Sequence, residues 1–148
     1  MSRRKARILA FQALYCYEAA APDLKELLSF EWEDEKIGKM DEGALIFARA
    51  LIAGVIENIP CIDEKIKAHL VNWNIGRIKR VDLALLRISV YSLIFQKEIP
   101  SGVVIEEAVA ISRLYGEDGA FRFINGILDT IKKSLDKEEA GELPDAPK

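Results

Sequence analysis

Residues 77–97 read RIKRVDLALLRISVYSLIFQK, and this stretch indicates the fold class. Its apolar and small residues recur at the spacing of a helix with 3.6 residues per turn, so they gather on one wide face. The helix breakers Pro100 and Gly102 follow shortly afterwards. The pattern therefore predicts a helix from about Arg77 to Lys97. The residues on its wide face are Ile78, Val81, Leu85, Leu86, Ile88, Tyr91, Ser92 and Phe95.

Helical periodicity continues on both sides of this stretch. Asp41 is placed to cap one helix, and Pro22 and Pro60 each end one. No segment shows the sustained period-2 alternation of a β-strand. The sequence therefore predicts an all-α protein of about seven helices, with a loop at 31–40. The other six predicted helices cover residues 3–20, 23–30, 41–59, 63 to about 74, 103–115 and 118 to about 135.

Several local signals predict how these helices pack and end. Gly54 and Gly126 lie inside predicted helices, where glycine costs about 1 kcal/mol relative to alanine. Both are therefore predicted to allow a neighbouring segment to approach closely. Gly116 is predicted to form a left-handed cap after the sixth helix. Asp118 is predicted to cap the seventh helix.

The composition indicates one globular domain, over about residues 1–135. The chain has 148 residues, of which 50% are hydrophobic and 30% charged. No apolar run approaches the roughly 18 residues of a membrane span, and the first residues lack the pattern of a secretory signal. Cys16 and Cys61 have no metal-type spacing and are predicted to be small buried residues in a reducing compartment. We therefore expect a cytoplasmic protein, with a flexible charged tail at 136–148.

The charge is distributed unevenly along the chain. The net charge of −3 argues against a protein that coats nucleic acid through its overall charge. The first twenty residues nevertheless hold four basic residues and one acidic residue, whereas residues 23–42 hold three basic and eight acidic. Guanidinium groups suit phosphates and base edges, so this start indicates either RNA-binding turns that project from the body or a solvated basic terminus. The basic residues are Arg3, Arg4, Lys5 and Arg7.

Two further cationic segments are candidate interaction sites. In the segment RFIN, Arg122 offers a cation and Phe123 a ring, a combination typical of proteins that hold single-stranded nucleic acid. Asn125 is predicted either to form hydrogen bonds at the edge of the core or to contact a base. Lys79 and Arg80 begin a predicted helix, where cations oppose the helix dipole. They indicate either an interaction surface or a solvated face.

The remaining polar residues form no catalytic motif. His69 is the only histidine, and no recognisable partners stand at suitable spacing. Glu106 and Glu107 are adjacent, so on a helix they point about 100° apart and do not converge. The sequence has no glycine-rich phosphate loop, G-x-S-x-G or C-x-x-C motif. We therefore predict a protein that is not an enzyme and that has no metal site or cofactor.

Four stretches of the chain together resemble the NusB family of bacterial transcription antitermination factors. Each stretch alone is weak, but the set is specific and spans nearly the whole chain in the family's order. The resemblance implies an N-terminal helical bundle, about residues 1–59, packed on a C-terminal bundle, about residues 61–135. The stretches are RRKAR and AFQALY within 3–15, the pattern VDLALLRISVY within 77–91, PSGVVIEEA at 100–108, and YG to FINGILD within 115–129.

The same resemblance implies a function without catalysis. Family members bind the boxA element of ribosomal RNA leader transcripts as single-stranded RNA, together with the small-subunit ribosomal protein NusE. The pair joins RNA polymerase with NusA and NusG. Asp82 matches an acidic position on the NusE-facing surface, where we also expect Arg80. The positions implied for RNA binding are Arg3, Arg4, Lys5, Arg7, Gln12, Tyr15, Arg122, Phe123 and Asn125.

The sequence leaves two other functions open. NusB-like domains also occur as RNA-binding appendages of ribosomal RNA cytosine methyltransferases. Here a catalytic role would need a separate chain, since no cofactor-binding Rossmann segment follows residue 135. A helical interaction module that binds no RNA is the other alternative. A homodimer that hides the RNA-binding surface is also compatible with the sequence.

Overall fold

Seven α-helices make up most of the part of the chain that the computed structural model describes, which is residues 3–20, 22–29, 40–71 and 74–141. The predicted all-α class is therefore confirmed, whereas the predicted loop lies outside the described residues except for Met40. A 3-10 turn (Ile75–Arg77) precedes the fifth helix. The helices are α1 (Arg3–Ala20), α2 (Leu24–Ser29), α3 (Glu42–Glu57), α4 (Ile59–Ala68), α5 (Arg80–Phe95), α6 (Ser101–Tyr115) and α7 (Ala120–Glu139).

Helix α5 lies at the centre of the molecule. It packs against α1, α3, α4, α6 and α7, and every residue from Leu83 to Val90 is buried. A helix that is apolar over most of its surface reaches low free energy only when neighbours cover it on several sides. One hydrophobic cluster accordingly includes residues from all seven helices. The division into two bundles near residue 60 stays a prediction.

A buried arginine connects three of these helices. The Arg87 guanidinium on α5 donates to both carboxylate oxygens of Asp63 on α4, at 3.0 and 2.9 Å, and to Glu18 on α1 at 2.8 Å. Burial by itself lowers the pKa of Arg87, but the bonds to Asp63 and Glu18 raise it above its ordinary value. The arginine is therefore held in its charged form, and it fixes the end of α1 relative to α4 and α5.

Several helix boundaries differ from the prediction. Helix α4 begins at Ile59 rather than Asp63, because proline is compatible with the first turn, where Pro60 lies. Helix α5 begins at Arg80 because the 3-10 turn occupies the three residues at 75–77. Asp118 does not cap α7; Gly119, with φ of 83°, precedes the helix without a side-chain cap. Asp41 does cap α3, since its Oδ1 accepts from the Ala44 amide at 2.7 Å.

The end of α7 also differs from the prediction. The helix continues through Glu139, four residues into the segment expected to be a flexible tail. Two ion pairs join this last part to other helices or their flanks: Lys65 with Glu138 at 2.8 Å, and Lys97 with Glu139 at 2.5 Å. Within the described ranges no single helix is long and apolar enough to cross a membrane; α3 and α4 pass that test only as a pair, across a 73° bend.

Some of the packing predictions for the glycines and cysteines are confirmed, and others are wrong. A Cβ on Gly54 would lie 2.3 Å from the Tyr91 hydroxyl, so the predicted close approach is confirmed. The same prediction is wrong for Gly126, where a Cβ would meet nothing within 4 Å. Gly116 has φ of −84° and is not a left-handed cap. Cys61 is exposed rather than buried.

These two helical glycines give a matched test of packing. Gly54→Ala should lower the free energy of unfolding by about 1–3 kcal/mol, because Tyr91 must move while its ring packs against Phe95, with centroids 5.1 Å apart. Gly126→Ala should raise it by about 0.5–1 kcal/mol, because alanine loses less conformational entropy and meets no neighbour. Urea denaturation measures both. Equal effects of the two substitutions would contradict this assignment.

Candidate nucleic-acid interface

The basic first turns of α1 divide into an exposed part and a buried part. Arg3, Arg4 and Lys5 are exposed, as expected for turns that project from the body. Arg7, in contrast, is only 2% exposed. The expectation that all four cations project is therefore wrong for Arg7, because its position on the helix faces inward, next to the fully buried Ala6.

Arg7 makes contacts of a structural kind. Its Nη2 donates to the Ser92 hydroxyl on α5 at 3.0 Å, and its guanidinium carbon lies 5.9 Å from the centroid of the Phe47 ring on α3. Burial lowers the pKa of Arg7, and the carboxylate of Glu107 acts in the opposite direction. Ser92 donates in turn to Gln96 at 2.6 Å. Arg7 thus links α1 to α3 and α5.

Arg4 is held in place by a carboxylate from α6. Its Nε and Nη2 donate to the two oxygens of Glu107 at 2.9 and 3.0 Å. These hydrogen bonds and the opposite charge raise the pKa of Arg4. A two-point fork of this kind fixes the direction of the guanidinium, whose other donors remain at the surface. Glu107, which carried no functional prediction, therefore positions the exposed end of α1.

Tyr15 and the NusE-facing candidates line one cleft. The cleft has a volume of about 330 Å³, and Tyr115 also contributes to its wall. Tyr15 is 39% exposed. Burial raises the pKa of Asp82, which lies in the first turn of α5, and the nearby Glu117 adds to the effect. Arg80 is exposed at the start of the same helix.

Gln12 and Lys79 lie close to these residues in the sequence, and Lys79 also lines the cleft. Gln12 is half-buried, and its Oε1 is buried with no hydrogen-bond partner in the part of the chain that the structure describes. Lys79 forms an ion pair with Glu117. This pair neutralises one of the two cations at the start of α5, where they oppose the helix dipole.

The RFIN segment lies in the first turns of α7. Arg122 and Asn125 are exposed, whereas Phe123 is half-buried and packs against the core. Asn125 forms no side-chain hydrogen bond with a described residue, which disfavours its alternative role as a hydrogen bonder at the core edge. The ring that contacts the cations here is Phe121, which sequence reasoning missed: the guanidinium carbons of Arg113 and Arg122 lie 4.4 and 5.3 Å from its centroid.

Helix α6 relates the two predicted RNA-binding segments to each other. Arg4 contacts Glu107 in its middle, and the Phe11 ring packs against Tyr115 at its end, with centroids 5.5 Å apart. Helix α7 follows after a short turn and packs along α6. From Glu107 to Tyr115, α6 rises about 12 Å. The basic turns of α1 and the turn before Arg122 thus both border α6, about 12 Å apart along it.

An all-helical body with exposed cations beside one helix defines a binding module. Within the described residues, no group of three His, Cys, Asp or Glu side chains is placed to hold a metal ion. The family model of the NusB family matches residues 4–133. The chain therefore belongs to the NusB family of transcription antitermination proteins, which are not enzymes.

Individual relatives agree with this assignment. The transcription antitermination protein NusB of Treponema denticola is 44% identical over 132 residues, which cover 89% of this chain and 96% of the relative. The solved structure of T. maritima NusB superposes with a TM-score of 0.81 at 36% identity, covering 94% of this chain and 98% of that one. A structure of antitermination factors NusB and NusE in complex with double-stranded RNA has a TM-score of 0.79 at 31% identity, covering 88% and 96%.

The division of the basic cluster can be tested on stability alone. Arg7→Ala should lower the free energy of unfolding by about 2 kcal/mol, because it removes a buried charge-assisted hydrogen bond and leaves a cavity between α1, α3 and α5. Arg3→Ala should change it by less than about 0.5 kcal/mol, as is usual for an exposed side chain. Urea denaturation of the two variants decides this, and a larger loss for Arg3→Ala would refute the division.

Proposed function

We propose that this chain binds the boxA element of ribosomal RNA transcripts as single-stranded RNA together with NusE, and joins the cytoplasmic RNA polymerase antitermination complex with NusA and NusG. The observation that carries this proposal is the placement of exposed cations from two distant parts of the sequence beside α6. The related structure of NusB and NusE with double-stranded RNA supports RNA binding together with NusE, and the preference for a single strand is the proposal's own. The chain also matches 96% of the length of a relative that is itself an antitermination protein, and this favours the same role over that of a methyltransferase appendage.

The RNA contacts follow from the chemistry of the exposed side chains. Arg3, Arg4 and Lys5 bind phosphates beside the middle of α6, and Arg122 binds a phosphate beyond its C-terminal end. Asn125 is exposed and carries both a donor and an acceptor, so it suits a base edge. Phe123 packs against the core, and its role is to hold the start of α7 so that Arg122 and Asn125 face the RNA.

The cleft beside α5 is the proposed NusE surface. Asp82, with its raised pKa, and the exposed Arg80 supply opposite charges, and Tyr15 and Tyr115 supply amphipathic rings of the kind enriched in protein interfaces. Tyr15 lies on the same helix as Arg4, about three turns later. The RNA surface and the NusE surface therefore adjoin along α1, and an RNA bound there would touch both proteins.

The proposed RNA contact predicts a specific salt dependence. Arg3→Ala combined with Arg4→Ala should weaken binding of a labelled boxA RNA at least tenfold. It should also make the slope of log affinity against log salt less steep by about 1.4, since each single-strand phosphate contact contributes about 0.7. The affinity is measured by fluorescence anisotropy, with and without NusE.

Two controls accompany this measurement. Lys25→Ala combined with Lys67→Ala removes the same charge from exposed positions on α2 and α4, and should leave the slope unchanged. An unlabelled RNA duplex should compete less well than unlabelled boxA single strand. Equal slopes for the two double variants would contradict the RNA contact, and equal competition would contradict the preference for a single strand.

The proposed NusE surface predicts that Asp82→Asn separates binding from stability. Burial raises the pKa of Asp82, so ionisation of this carboxyl costs the folded state free energy. The amide variant should therefore fold at least as stably as the original chain while its affinity for NusE falls. Titration calorimetry with purified NusE measures this, with Glu64→Gln on α4 as the exposed control. Unchanged NusE affinity of Asp82→Asn would place NusE elsewhere.

A further inference from the structure

Arg113, Phe121 and Arg122 form a group at the turn between α6 and α7. Of these three, only Arg122 is among the positions that the resemblance implies for RNA binding. Arg113 is in the last turn of α6 and Arg122 in the first turns of α7; both are exposed. Their guanidinium carbons lie 4.4 and 5.3 Å from the centroid of the same ring, Phe121. The two guanidiniums are thus within about 10 Å of each other, which is no more than one Debye length at 0.1 M salt.

These two guanidinium charges lack a carboxylate partner. Within this distance like charges repel weakly through solvent, and in residues 3–20, 22–29, 40–71 and 74–141 no carboxylate lies within ion-pair distance of Arg113 or Arg122. Arg122 moreover stands near the N-terminus of α7, where a cation opposes the helix dipole. Other cations beside α6 are compensated, as Arg4 is by Glu107 and Lys79 by Glu117.

The contact with the ring orients the two guanidiniums without using their hydrogen-bond donors. A cation–π contact uses no hydrogen-bond acceptor, and no described residue accepts a hydrogen bond from either guanidinium, so their N–H groups stay available. The Arg122 guanidinium lies over the turn, with Nη1 at an ordinary contact distance of 3.9 Å from where a Cβ on Gly119 would be. Ordering a long side chain before binding lowers the entropic cost of the complex.

We propose that Arg113 binds a phosphate of the single-stranded RNA next to the one bound by Arg122, and that Phe121 positions both guanidiniums. The proposal rests on the RNA-binding function proposed above and adds two residues to it. Phosphate is the ligand that fits, because it offers charge to relieve the repulsion and several oxygens for the in-plane donors. It would add a phosphate contact at the last turn of α6, beside the one bound by Arg122.

The test compares single variants in the salt dependence of binding. The probe is a fluorescein-labelled boxA RNA of about twelve nucleotides, titrated with the full chain at several salt concentrations, with and without NusE. Arg113→Gln should weaken binding severalfold and make the slope less steep by about 0.7, the contribution of one single-strand phosphate. Lys67→Gln is the control. Lys67 is exposed on α4, two residues from Lys65. Lys65 pairs with Glu138, which lies about 24 Å from Arg122 along α7, so this control is far from the proposed contact.

Phe121 variants separate positioning from charge. Phe121→Leu keeps both arginines, so the slope should stay unchanged while the affinity falls severalfold. Phe121→Tyr keeps the ring and should restore the original affinity. Far-UV circular dichroism and the thermal midpoint confirm that each variant is folded.

Each outcome has one interpretation. If the original chain binds RNA with a steep salt dependence and Arg113→Gln matches Lys67→Gln, the Arg113 contact is wrong and the proposed function stands. If Arg113→Gln weakens only NusE binding, Arg113 contacts protein rather than RNA, and the proposal is also wrong. If Phe121→Leu binds as the original chain does, Phe121 positions neither arginine. If the original chain does not bind the RNA, the proposed function fails and this inference fails with it.

Discussion

Two buried arginines, one on α1 and one on α5, hold these two helices together. Arg7 on α1 donates to Ser92 on α5, and Arg87 on α5 donates to Glu18 near the other end of α1 while it also binds Asp63. Breaking a buried ion pair such as those of Arg87 costs about 3–5 kcal/mol, so these contacts tolerate little change in the placement of the helix. The first turn of α1 is thereby presented at a fixed place beside α6, and the candidate interface depends on that placement.

The candidate interface follows from what α1 and α7 place along α6. Glu107 holds Arg4 at the surface beside the middle of α6, and the Phe121 ring contacts Arg122 just beyond the end of that helix. The net charge of the chain is negative, so attraction for RNA must come from this local arrangement rather than from the whole molecule. Rigid helices that carry a few ordered cations suit a factor that assembles a complex and makes or breaks no bond.

Much of the fold could be predicted from the sequence, because the deciding signals are local. The buried apolar residues between Leu83 and Leu93, the Asp41 cap and the close approach at Gly54 all appear in the structure. The errors arose where a tertiary partner decides. A run of basic residues does not reveal that the position of Arg7 faces α3 and α5, and an Asn-Gly pair does not reveal that Gly126 faces open space. Phe121 was missed because its partner Arg113 is eight residues away, across a turn.

The most direct test of the central claim is an NMR titration of the ¹⁵N-labelled chain with boxA single-stranded RNA. Backbone amides in the first turn of α1 and in the turn between α6 and α7 should shift together, with one dissociation constant, because one ligand contacts both. Amides around Lys67 on α4 should not move. Shifts in just one of the two segments, or two different dissociation constants, would contradict a shared RNA-binding surface beside α6.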